Sequence, residues 1–220
     1  MTHFIFCHGF GFDRNFWEPL APYFAHEKSS FIDLGYFNNP LDAMHLPEEP
    51  VIGIGHSIGL SKLIAGYDNF TALIGLNGFI NFLGAKQDIR ITRQKELQAL
   101  RLRFGRDAKS ALRNFYATCG VPEFTNITKG LELNMAPILS DFDWLQREYH
   151  LPENDQGPVP ALILAADDDI IVPSCITGDN FAWQQHVQIQ YIADCGHCLG
   201  FKKPLEVYEK IMSFLDGATA

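Results

Sequence analysis

At 220 residues the chain is one large domain or two small ones, and its 47% hydrophobic content, with 18 phenylalanines, exceeds what a single sizeable core needs. With only 20% charged residues, disorder and fibrous structure are excluded. The formal charge of −9 excludes nonspecific binding to nucleic acid or to an anionic membrane surface as a property of the whole molecule.

The segment Thr2–Cys7 is short, apolar and rich in β-formers, and it stops at the turn-forming run His8-Gly9-Phe10-Gly11, so it reads as a buried strand. Phe16, Trp17, Leu20 and Phe24 suit one face of a helix in which Pro19 and Pro22 fall near the first turns. Ser30–Leu34 is the next expected strand, followed by a Pro- and Asn-rich connection and a strand over Val51–Gly55. A helix over Ile58–Tyr67 and a strand over Thr71–Leu76 come next. From 78 to 151 the spacing turns helical, with Leu97, Leu100 and Phe104, then Ala108, Leu112, Phe115 and Tyr116 at intervals of three and four. The alternation resumes with strands at Ala161–Ala165 and Val187–Ile192 and a closing helix at Pro204–Leu215. This order predicts an α/β fold of about six mostly parallel strands, its core formed by residues 1–77 and 152–220, with 78–151 as an inserted helical lid.

No window offers the 18 uninterrupted apolar residues of a membrane span, and the N-terminus lacks the charged-then-apolar pattern of a signal peptide, so a cytoplasmic protein is expected. Five cysteines in a chain of this size argue for reduced thiols rather than a disulfide framework.

The most informative peptide is Gly55-His56-Ser57-Ile58-Gly59, a G-x-S-x-G that follows an expected strand and opens an expected helix. A nucleophile on such a sharp turn needs glycines two residues to either side, because Cβ atoms there would clash. A serine hydroxyl needs a base, and the base needs an orienting acid, expected in the order Asp then His. Three aspartates, Asp167, Asp168 and Asp169, follow the strand at 161–165. Asp169 is favoured because the strand needs a few residues of loop before it turns away at Ile170-Ile171-Val172-Pro173; Asp167 and Asp168 then read as a cap or a solvated loop. His197, directly after the last strand, is the candidate base. His186 precedes that strand and belongs at the opposite edge, while His8 and His56 come too early in the order and read as structural hydrogen-bonding groups. Oxyanion donors are expected from the amides of Phe10 and Ile58. Phe10, Ile58, Phe79, Phe115 and Leu199 are the expected substrate-binding residues. Cys195-x-x-Cys198 lacks a second ligand pair and reads as packing, so neither a metal nor any other cofactor is expected, and no G-x-G-x-x-G opens a helix after a strand.

With these residues in place the chain resembles the α/β-hydrolase superfamily over nearly its whole length. Within it, the peptides HGFGFDRNFW, GHSIGL, LNGFINF and DCGHCLGFKKP look like those of the pimeloyl-ACP methyl ester esterases of biotin synthesis. That resemblance implies a carboxylesterase that releases methanol from a dicarboxylate monomethyl ester on acyl carrier protein. It carries Ser57, Asp169 and His197 over as the triad and Phe10 and Ile58 as the oxyanion hole. The chain departs from the pattern in lacking an N-terminal antiparallel hairpin, in the short connection from Asp33 to Pro50 and in Ala166, where glycine is common. The alternatives are a broad small-molecule carboxylesterase, a proton-abstracting lyase on the same fold, and a noncatalytic binding protein.

Between Lys86 and Arg113 nine basic and three acidic residues give +6, leaving −15 for the rest. A cationic lid on an anionic body would steer an acidic carrier protein toward the site, with Arg106, Lys109 and Arg113 expected on one helical face. The competing reading is an ordinary solvated face. The expected partners are thus an ester substrate and an acyl carrier protein, and the protein is read as a monomer.

Overall fold

The computed structural model describes residues 2–37, 47, 49–155 and 157–218. Strand β1 (His3–Cys7) is buried at every position, as a strand covered on both faces must be. Two short 3-10 helices, Arg14–Trp17 and Ala21–Phe24, replace the single helix expected after Asp13. Pro19 and Pro22 lack the N–H that a continuous helix would need at those positions. The two segments still bury Trp17 and Phe24, whose rings meet Phe6 of β1 edge-on at 5.2 Å.

Strand β2 (Lys28–Ile32) starts two residues before the expected run, which leaves Asp33 and Leu34 in the following loop. The expectation of a helix-free connection to the next strand falls largely on 38–46 and 48, outside the described residues. Strand β3 (Val51–His56), helix α1 (Ile58–Gly66) and strand β4 (Phe70–Leu76) follow. Four helices come next: α2 (Gln87–Arg106), α3 (Ala108–Thr118), α4 (Phe124–Ile127) and α5 (Met135–Trp144). A small hairpin of β5 (Glu153–Asn154) and β6 (Gly157–Pro158) leads into β7 (Ala161–Ala166). Helix α6 (Ser174–Phe181), β8 (Val187–Ile192), the short α7 (Leu199–Lys202) and α8 (Pro204–Ala218) complete the chain.

Six strands form one sheet in the order β2-β1-β3-β4-β7-β8, and every neighbouring pair is parallel. The direction of winding reverses between β1 and β3, so a crevice opens at their carboxyl ends. Ser57 follows β3 there, beside the turn that follows β1, and the loops after β7 and β8 leave the same edge of the sheet. No helix among the described residues is long and apolar enough to cross a membrane.

Helices α2 and α3 meet at Asp107, where the helical path is broken. Its backbone leaves the helical region, and its carboxylate caps α3 by accepting from the Ser110 amide at 3.0 Å. The inserted helices are tied to the core by polar contacts. Asp141 of α5 accepts from the Tyr36 hydroxyl and from Lys62 Nζ of α1, the latter at 2.5 Å. Trp144 Nε1 donates to Ser61 Oγ at 3.0 Å, and the Tyr116 hydroxyl donates to the Gly11 carbonyl at 2.6 Å. Phe104, Phe115 and Phe142 surround the ring of Phe10, with centroids 5.4 to 5.5 Å away.

Candidate active site

Ser57 is one of three non-glycine residues with positive φ among those described, at φ 56° and ψ −125°. Such a conformation costs about 1–3 kcal/mol and persists only where its surroundings enforce it. The enforcement is visible in the neighbouring glycines. A Cβ on Gly55 would lie 2.4 Å from the Leu60 backbone, and one on Gly59 would lie 2.2 Å from the Cys7 carbonyl oxygen. The Ser57 amide also donates to the Leu76 carbonyl at 3.0 Å, which fixes the turn against β4.

Its hydroxyl meets His197 Nε2 at 2.9 Å, and His197 Nδ1 meets Asp169 Oδ2 at 2.7 Å. The other Asp169 oxygen accepts from the amides of Ile171 at 2.7 Å and Val172 at 3.0 Å. A carboxylate so placed requires the proton on Nδ1, which leaves Nε2 free to accept from Ser57. Burial pushes the Asp169 carboxyl up, but the adjacent His197 and the two loop amides outweigh that and hold it below the ordinary carboxylate range. All three side chains are nearly inaccessible, so water does not compete for these bonds.

Two further residues hold the histidine loop, one read from the sequence as a cap or loop residue and one not singled out by it. Asp168, an exposed loop residue, accepts through Oδ1 from the Gly196 amide at 2.9 Å and from the Cys195 amide at 3.3 Å, so it caps the 3-10 turn Gly196–Cys198 that carries His197. Asn77, at φ 48°, donates to the Gly196 carbonyl at 2.9 Å and accepts from the Ala166 amide at 2.7 Å, linking the end of β7 to the loop after β8. The run of three aspartates was the only sequence signal for Asp168, and Asn77 gave none.

His56 and His8 are structural groups, as expected. His56 Nε2 donates to the His197 carbonyl at 2.9 Å, and its ring stacks on Phe16 at 4.2 Å. Burial, with His197 nearby, pushes its pKa well below the ordinary histidine value, so it is neutral. His8 Nδ1 donates to the Gly9 carbonyl at 3.0 Å, and its Nε2 accepts from the Leu34 amide at 3.0 Å. Gly9 passes so close to the elbow that a Cβ there would sit 2.5 Å from His56 Nδ1 and 3.1 Å from Ser57 Cβ. The turn carrying the Phe10 amide therefore runs beside Ser57. The Ile58 amide begins α1, where no intrahelical acceptor exists, and among the described residues neither amide has a protein acceptor.

A cavity of about 120 Å³ opens at Ser57, lined by Phe10, Phe82, Leu97, Leu100, Phe115, Leu145 and Ile171, with Arg93 and Glu96. Of the residues expected to bind substrate, Phe10 and Phe115 are among its walls. The side chains of Ile58, Phe79 and Leu199 are not, because they are buried in the core, and Phe82, 5.1 Å from Phe79, takes the wall position instead. Cys7, Cys119, Cys195 and Cys198 are buried free thiols, and burial beside Asp168 pushes Cys195 up to about 12.

The basic segment is less uniform than its sequence. The break at Asp107 puts Arg106 at the end of α2 and Lys109 and Arg113 on α3, so the three do not share one helical face. Lys109 and Arg113 line a groove with Lys129, Leu112 and Leu131 that excludes Arg106. Arg90 pairs with Glu148 at 2.8 Å, Arg101 with Asp143 at 2.7 Å, and Arg93 is buried.

No family model and no curated protein sequence matches the chain. Its backbone is similar to an esterase from Exiguobacterium antarcticum, with a TM-score of 0.77 and 15% identity over 98% of this chain and 92% of that one. It is also similar to a bromoperoxidase from Bacillus anthracis (TM-score 0.75, 16% identity, 98% and 92% covered). MenH from S. aureus gives a TM-score of 0.70 at 17% identity, with 100% and 95% covered. At these identities the likeness establishes the fold: the chain has the α/β-hydrolase fold.

Proposed function

We propose that the protein is a serine hydrolase that cleaves carboxylic esters through an acyl-enzyme on Ser57. The observation that carries this reading is the continuous hydrogen-bonded line from Ser57 through His197 to Asp169, on a strained elbow flanked by two unpaired amides. Ser57 Oγ attacks the ester carbonyl carbon while its proton passes to His197 Nε2. The Phe10 and Ile58 amides receive the oxyanion, each worth about 3 kcal/mol of barrier. As the intermediate collapses the bond to the alcohol oxygen breaks, and His197 returns its proton to that oxygen. Water then attacks the acyl-enzyme, with His197 again taking a proton, and the free acid leaves as Ser57 is restored. Because the fold also hosts other chemistries, the triad supports the esterase reading where fold alone does not.

The finer reading is the methyl ester of a pimeloyl chain on acyl carrier protein. It rests on the resemblance of the motif peptides and is supported by the apolar cavity, whose aromatic walls suit a methylene chain. An acidic carrier would dock on the cationic groove of Lys109, Arg113 and Lys129, with residues 78–151 acting as the lid. Ser57→Ala should lower ester turnover by on the order of 10⁶ and abolish labelling by a fluorophosphonate; undiminished turnover would end the serine-esterase reading. Methyl pimeloyl-ACP and free methyl esters, compared in wild type and in Lys109→Glu/Arg113→Glu, test the finer one. A selective loss of kcat/KM on the carrier-bound ester supports it, and equal losses on both favour a broad small-molecule esterase.

A further inference from the structure

Arg93 is a buried cation, 7% exposed, that makes no ion pair among the described residues. Removing a guanidinium from water costs several kcal/mol unless its donors find good acceptors. Here they find two backbone carbonyls from different parts of the sheet edge. Nε donates to Phe82 after β4 at 2.8 Å, and Nη2 donates to Ile171 after β7 at 2.7 Å, with the guanidinium 4.1 Å above the Phe82 ring. Arg93 belongs to α2, within the inserted helices, so these bonds fasten the insertion to the loop that carries Asp169.

The bond to Ile171 has a second consequence. The Ile171 carbonyl and the Val172 N–H are the two ends of one peptide group, and that N–H donates to Asp169 Oδ1 at 3.0 Å. A charged donor on the carbonyl polarises the peptide and strengthens the bond its N–H makes. The line therefore runs from Arg93 through the 171–172 peptide to Asp169, from Asp169 to His197 at 2.7 Å and from His197 to Ser57 at 2.9 Å. Lys62 and Trp144 also hold the insertion to the core, but they contact α1 and α5 and not the acid loop.

We propose that Arg93 is a positioning residue that makes alignment of Asp169 depend on the seating of α2, so that Ser57 is activated only when the helical insertion is in place. The proposal rests on the serine-esterase reading and adds to it a conformational condition. Displacing α2 withdraws the guanidinium, frees the 170–172 loop and lets the Asp169–His197 bond drift. A misplacement of about 1 Å in such a constellation costs on the order of 10²-fold in rate.

The test uses Arg93→Ala and Arg93→Lys with p-nitrophenyl acetate, a neutral ester too small to need the far end of the cavity. In Arg93→Ala, kcat should fall about 10- to 100-fold with KM nearly unchanged, and the downfield proton NMR signal of the His197 Nδ1–H should broaden or vanish. Millimolar guanidinium, far below denaturing concentrations, should restore part of kcat. Arg93→Lys keeps the charge and stem but not the fork that serves two carbonyls, so it should fold and fall between wild type and the alanine variant. Unchanged kcat in either folded variant overturns the proposal. So does a rise in KM alone, which would mean that Arg93 acts on the substrate in the cavity, or a fall in kcat with the Nδ1–H signal intact. Fluorophosphonate labelling of wild-type Ser57 is read in parallel; its absence would sink the esterase reading itself.

Discussion

Exchanging Asp169 for asparagine changes one atom's chemistry and almost none of the site's shape. Oδ1 would go on accepting from Ile171 and Val172, so the loop keeps its 2.7 and 3.0 Å bonds and the amide is held in one orientation. That orientation puts an NH₂ where Oδ2 now lies, 2.7 Å from His197 Nδ1. Two donors cannot share that gap, so the ring must present a lone pair at Nδ1 and carry its proton on Nε2, 2.9 Å from the Ser57 hydroxyl. The base is then occupied before the reaction starts. Loss of the correct tautomer costs about 10⁴ in kcat, equivalent to about 5.4 kcal/mol of barrier. Initial rates on a p-nitrophenyl ester measure it, and the unfolding midpoint shows whether the fold is retained. Asp167→Asn, at an exposed neighbour, serves as the control and should leave kcat nearly unchanged. An Asp169→Asn variant within tenfold of wild type, or an Asp167→Asn variant equally impaired, would refute the assignment.

Asp168→Ala removes the acceptor of the Cys195 and Gly196 amides and should lower stability by about 1 kcal/mol and kcat by about 10-fold, whereas Asp168→Asn, which keeps an acceptor oxygen, should stay near wild type. Equal effects of the two substitutions in rate and thermal assays would show that charge, not the cap, is what matters. Burial pushes the Asp33 carboxyl up, but the Gly35 amide at 2.9 Å and Arg14 at 3.5 Å act against that and hold it below the ordinary 3.8. Its folded value is the depressed one, so its stabilisation is complete above about pH 4 and is lost as pH falls through the folded value. Unfolding midpoints measured from pH 5 down to 2 should therefore fall more steeply in wild type than in Asp33→Asn, and parallel curves would contradict this.

The residues legible in the sequence were those whose type and spacing are dictated by sterics or by bond-making atoms of the side chain. Gly55 and Gly59 declare the elbow because any Cβ there meets backbone at 2.4 and 2.2 Å. Asp169 and His197 follow from loop lengths after alternating strands, which the parallel topology brings to one edge. Periodicity misled where it ignored hydrogen-bond supply. Apolar spacing through Phe24 suggested one helix, yet Pro19 and Pro22 divided it, and three basic residues at regular intervals suggested one face until Asp107 turned the chain between them.

What sequence did not display has a common physical cause. Arg93, Asp168 and Asn77 act on backbone groups of distant segments: Arg93 on carbonyls at 82 and 171, Asp168 on amides at 195 and 196, Asn77 on a carbonyl at 196 and an amide at 166. A backbone carbonyl or amide has no residue type, so neither spacing nor composition can announce a partner for it. Arg93 carries the clearest case, since in the sequence it is one of nine basic residues in a cationic stretch and in the fold it is withdrawn from that surface altogether. A count of charges along the stretch therefore overstates the field outside the protein and misses the charge that acts within it. Docking of an acidic partner would have to rest on the groove residues Lys109, Arg113 and Lys129, while Arg93 serves the acid loop. The two roles separate experimentally because raising the ionic strength screens the exposed groove beyond about 8–10 Å and leaves the buried bond to Ile171 nearly untouched.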